Sequence, residues 1–88
     1  MKEIEQLRKE VDEADDELVS AFLKRIAVTD KIGEVKRALG ARVEDFLREK
    51  IVLERLLNGK TQSQKEAITD LYAAIFKISK QRQAKDER

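Results

Sequence analysis

Arginine, lysine, aspartate, glutamate, serine and glutamine are the side chains left to do chemistry in this sequence, whose 88 residues include no cysteine and no histidine. Thiol nucleophiles, imidazole bases, Ser-His-Asp arrangements, zinc fingers and disulfide staples are thereby excluded. Arg25 stands out because it occupies a position in an otherwise apolar helical seam, where an unpaired guanidinium is costly to bury. The ordinary explanation of one such residue is a register device or a buried ion pair. Lys36, eleven residues on, falls ~20° away around a helix and ~16 Å along its axis. The two cations therefore share a face, and their side chains can converge on an object between them.

Arg8 lies ~26 Å from Arg25 along the axis and roughly 100° around it, so within one chain it cannot reach a small ligand held by Arg25 and Lys36. In an antiparallel pair of such helices, Arg8 of one copy comes near Arg25 and Lys36 of the other; taken alone it reads as an exposed charge. Asp45, Arg48 and Glu49 stand at i, i+3 and i+4 on one helix face, with Glu49 at the margin of an apolar strip. Ser79 and Gln83 continue the apolar face of a later helix at steps of four, and Gln83 is one of few neutral donors in the chain. Surface ion pairs and polar helix ends account for each of these singly. As a set, the cations, neutral donors and one carboxylate suit a small, multiply anionic ligand that also carries a hydroxyl. No member looks like an activated nucleophile. The implied work is electrostatic and conformational.

Three helices must position these residues, giving an all-α fold. Apolar residues recur at Ile4, Leu7, Val11, Ala14, Leu18, Ala21, Val28, Ile32, Val35 and Leu39 in steps of three and four. That spacing predicts one long helix over residues 4–39, closed by Gly40. Its middle, around Leu18, Val19, Phe22, Leu23 and Ile26, is apolar almost all round, which implies more than one partner helix. A second helix is predicted from about Asp45 to Leu57, ended by Asn58-Gly59, and a third from near Ser63, where Ser63-Gln64-Lys65-Glu66 forms a capping box. The polar tail, residues 84–88, is expected to fray. The chain makes one domain over 1–88. A helix of ~54 Å outruns a globule of this size, on the order of 30 Å across, so its apolar heptads need covering. A second copy in an interlocked homodimer is the expected cover. Lys plus Arg number 19 and Asp plus Glu 18, a balance that argues against nucleic acid or a membrane surface as partner. No segment approaches the ~20 apolar residues of a membrane span, and a cytoplasmic location is expected.

The residues resemble the all-helical class of chorismate mutases. The likeness runs through Leu7-Arg8-Lys9-Glu10-Val11-Asp12-Glu13-Ala14-Asp15, Arg25, Ile32-Gly33-Glu34-Val35-Lys36 and Asp45-Phe46-Leu47-Arg48-Glu49, and closes with Ser79 and Gln83. Arg42-Val43 stands where the family often has Pro followed by Ile or Val, and the connection from Leu57 to Ser63 is shorter than usual. The resemblance implies an intertwined dimer of three-helix chains with shared sites, and a cofactor-free Claisen rearrangement of chorismate to prephenate in aromatic amino acid synthesis. In it, Arg8 of the partner and Arg25 would hold the carboxylates, and Lys36 and Gln83 the ether oxygen. Glu49 and the backbone near Asp45 would take the ring hydroxyl, with Arg48 and Ser79 assisting. An isochorismate-pyruvate lyase on the same fold, or a non-catalytic helical dimerisation module, are the alternatives.

Overall fold

Helix α1 runs from Lys2 to Leu39, and its 38 residues at 1.5 Å each account for the 56 Å long axis of the molecule. The computed structural model describes residues 1–42 and 45–85, the last of these as backbone only. Val43 and the last three tail residues, Asp86, Glu87 and Arg88, lie outside the described residues. Gly40 takes the left-handed conformation, φ 68°, and the Gly40 and Ala41 N–H groups donate to the Arg37 and Lys36 carbonyls. This double closure satisfies acceptors that a helix end otherwise leaves open.

Helix α2 spans Phe46–Leu57, with Asp45 as its N-cap: Asp45 Oδ1 accepts from the Arg48 N–H at 2.9 Å. Helix α3 spans Gln62–Lys85 and starts earlier than the Ser63 box predicts. Thr61 and Gln64 form the cap instead. Thr61 Oγ1 accepts from the Gln64 N–H at 3.1 Å, and Gln64 Oε1 accepts from the Thr61 N–H at 3.0 Å. Thr-x-x-Gln serves as well as Ser-x-x-Glu, and Gly59, at φ 75°, turns the chain immediately before it. The connection is thus shorter still, and α3 gains helical length.

Helix α3 packs against both α1 and α2, which do not pack on each other. Polar ties join α1 to α3, among them Arg25 to Ser79, Asp30 to Arg82, and Arg37 to the Gln83 carbonyl. Their order along both helices makes α1 and α3 parallel. Helix α1 meets α3 alone, so most of its surface has no second layer from the other helices of the chain. A hydrophobic core needs two layers. Accordingly, among the described residues Val52 and Ile75 are the buried apolar side chains, while Leu18, Val19, Leu23, Val28 and Val35 on α1 are each more than half exposed. The radius of gyration, 16.5 Å, exceeds the ~12 Å of a compact chain of this length.

Candidate active site

Because α1 and α2 meet α3 but not one another, a cavity of about 290 Å³ opens between them, lined by all three helices. Seven of the eight residues singled out in the sequence border it: Arg25 and Lys36 from α1, Asp45, Arg48 and Glu49 from the α2 start, and Ser79 and Gln83 from α3. The eighth, Arg8, is exposed on α1, ~26 Å away along the helix, and does not line the cavity.

Arg25 is half-buried. Its Nη1 donates to Ser79 Oγ at 2.8 Å, and its guanidinium carbon stands 5.7 and 5.8 Å from the Tyr72 and Phe76 ring centroids. No carboxylate among the described residues pairs with it. Ser79 and Gln83 are buried, at 7% and 8% exposure, because Tyr72, Phe76, Ser79 and Gln83 share one stripe of α3 that faces the cavity. Gln83 Oε1 is buried without a hydrogen-bond partner among the described residues, and a buried, unpaired polar atom of this kind is uncommon outside functional sites.

Two cations that the sequence reading passed over, Arg55 and Lys80, also line the cavity. Lys80 Nζ lies 3.4 Å from Glu49 Oε2 and 5.3 Å from the Phe46 ring centroid, tying α3 to the first turn of α2. Spacing carried a signal for both: Arg55 is seven residues after Arg48, and Lys80 three before Gln83, each on the face of its partner. In all, five cationic side chains border the cavity against the two carboxylates of Asp45 and Glu49. Of those carboxylates, Asp45 caps α2 and Glu49 meets Lys80. The cavity is therefore a cationic, partly aromatic recess near the small end of ligand-pocket volumes, suited to a compact polyanion. Among the described residues no acidic cluster could hold a metal ion, and no helix is long and apolar enough to cross a membrane.

Outside the cavity, Asp30 accepts two hydrogen bonds from Arg82, at 3.1 and 2.8 Å. These bonds hold its carboxyl below the ordinary value, against partial desolvation and with further help from the Arg82 and Arg37 charges. A depressed carboxylate stabilises the fold above its unfolded-state pKa and loses that contribution as pH falls through the folded value. Asp30→Asn should thus lower the urea midpoint at pH 6, and the difference from the parent should shrink below about pH 4. A difference that stays constant or widens on acidification would assign the effect elsewhere.

The model of the family described as chorismate mutase type II matches residues 7–84. No curated protein and no solved structure matches the chain.

Proposed function

The chain belongs to the chorismate mutase type II family, isomerases that convert chorismate to prephenate, and from that premise we propose that the reaction proceeds in the α1–α2–α3 cavity of an intertwined homodimer. The observation that carries this reading is the convergence of Arg25, Lys36, Ser79 and Gln83 on one cavity, with Glu49 across it.

Arg25, with Arg8 from the second copy, grips the two carboxylates of chorismate, Arg48 and Ser79 assisting. Such fixed clamps hold the substrate in the compact, chair-like conformer from which it reacts. Glu49 accepts from the ring hydroxyl, beside the backbone at Asp45. The reaction is unimolecular: the ether carbon–oxygen bond breaks as a carbon–carbon bond forms, with no redox partner and no leaving group. Negative charge grows on the ether oxygen meanwhile, and donors already aimed there, Lys36 and Gln83, lower the barrier. The cytoplasm and the synthesis of aromatic amino acids are the setting this reading implies.

The dimer reading is supported by the apolar side chains that α1 leaves exposed, Leu18, Val19 and Leu23 among them, and by an apolar groove of about 320 Å³ between α1 and α3, bordered by Leu18, Phe22, Leu71 and Ile75. For antiparallel copies of α1, Arg8 of the partner comes level with the stretch from Arg25 to Lys36 when the two-fold axis crosses α1 between roughly residues 17 and 22. The groove lies at that same stretch.

Purified protein mixed with chorismate alone should consume its absorbance and accumulate prephenate without releasing pyruvate. Folded protein that leaves chorismate untouched would overturn the assignment. Sedimentation equilibrium should report twice the chain mass. Mixing equal amounts of Arg8→Ala and Arg25→Ala chains should restore about a quarter of parental activity, since each heterodimer has one site with both defects and one with neither. No recovery, with subunit exchange verified, counts against a shared site.

A further inference from the structure

We propose that Gly33 and Arg37 are positioning residues that set where the Gln83 side chain stands in the cavity, an inference that rests on reading Gln83 as a donor to the ether oxygen. Gly33 is the one buried residue of α1. A Cβ added there would come within 2.9 Å of Gln83 Cγ and 3.2 Å of Gln83 Cβ, inside the ~3.5–4.0 Å at which carbon atoms pack best. These are the inner atoms of the Gln83 side chain, whose places follow from the α3 backbone and one rotamer; the third neighbour, Arg37 Nη1 at 3.2 Å, is a flexible end that can yield, but the Gln83 stem cannot. Either α3 backs away from α1 or Gln83 changes rotamer. The space a side chain would take at Gly33 is filled by the Gln83 stem.

Arg37 lies one turn further along α1, on the same face, and its Nη1 donates to the Gln83 carbonyl oxygen at 2.7 Å. Gly33 thus sets the distance between α3 and α1 at this level, and Arg37 fixes the Gln83 backbone against sliding. Gln83 Oε1 finds no partner among the described residues. With that oxygen untethered, the stem and backbone carry the task of aiming the amide.

Misplacement of a catalytic group by about 1 Å can cost on the order of 10²-fold, so the smaller shift forced by Gly33→Ala should lower kcat about 10-fold and leave KM within about 2-fold. The decisive measurement is the cycle with Gln83→Ala. If Gly33 acts through the donor, adding Gly33→Ala to Gln83→Ala should lower kcat less than about 2-fold. Arg37→Ala offers the same cycle from a half-exposed site should Gly33→Ala fail to fold, and Arg37→Lys, which keeps a donor, should recover part of its loss. Equal fold-losses of kcat with and without the Gln83 amide would overturn positioning and leave only packing. Gln83→Ala as active as the parent would instead overturn the donor reading itself, and the positioning role with it.

Discussion

Replacing Arg25 by methionine is expected to cut kcat/KM about 10³-fold, ~4 kcal/mol of transition-state stabilisation, while leaving the urea midpoint of the folded protein unchanged or raised. The two halves of this expectation share a cause. The Arg25 guanidinium stands to one side of the edge-on Tyr72–Phe76 ring pair and donates to the Ser79 hydroxyl, with no described carboxylate beside it. A half-buried cation with neutral partners has lost hydration without gaining a counter-ion, an arrangement that weakens the empty fold rather than supporting it. Methionine fills similar volume and makes favourable contacts with the same rings. On the proposed reading a substrate carboxylate is the missing counter-ion, and the guanidinium fork can take it through two parallel hydrogen bonds. Arg25→Lys keeps the charge but loses the fork, and should fall between, about 10²-fold down. Were Arg25 a structural register residue, methionine would be harmless to activity too; a variant within a few-fold of the parent would establish that.

The face shared by Arg25 and Lys36 was legible in the sequence because a long helix has a single dominant period, and a separation of eleven residues returns almost to the same angle. Ser79 and Gln83 were legible for a related reason: they continue the apolar face of Ile68, Leu71, Tyr72 and Ile75 at steps of four, and the structure buries both. Local pattern was ambiguous at the α3 start, where Thr-x-x-Gln and Ser-x-x-Glu overlap in register. The first takes the cap because Gly59 lets the chain turn just ahead of it. Lys80 and Arg55 were not picked out, since with 42% of residues charged nearly every helix face offers a cation. Which of them border the cavity depends on how α2 lies across α3, an angle that periodicity does not encode. Gly33 could be read as one letter of the Ile32-Gly33-Glu34-Val35-Lys36 stretch, but its contact with the Gln83 stem is tertiary. The role proposed for Arg8 rests on a second copy, because within one chain it is remote from the cavity.

Gln83→Glu should be poor at neutral pH and regain activity as the solution is acidified, whereas the parent should stay nearly flat between roughly pH 6 and 8. An amide donates a hydrogen bond at any pH, so Gln83 itself brings no titration to the donor side. A glutamate in its place must be protonated to donate, and its reference pKa is ~4.3. The cationic lining of the cavity favours the ionised form and pushes that value lower, while desolvation at this buried position pushes it up. On either balance the donating form grows as pH falls, so the slope of kcat against pH has a determined sign. Gln83→Ala, which offers no donor at any pH, should lose on the order of 10²-fold in kcat, ~2.7 kcal/mol, the low end for removing one preorganised donor to a developing oxyanion. It should show no acid recovery. That pairing separates donation from bulk: if only the shape of the side chain mattered, Gln83→Glu would be nearly as active as the parent at pH 8, because the two side chains are close to isosteric. Equal activity of Gln83→Glu at pH 8 and pH 5, or a Gln83→Ala enzyme close to the parent, would remove Gln83 from the reaction and leave Lys36 as the donor to the ether oxygen.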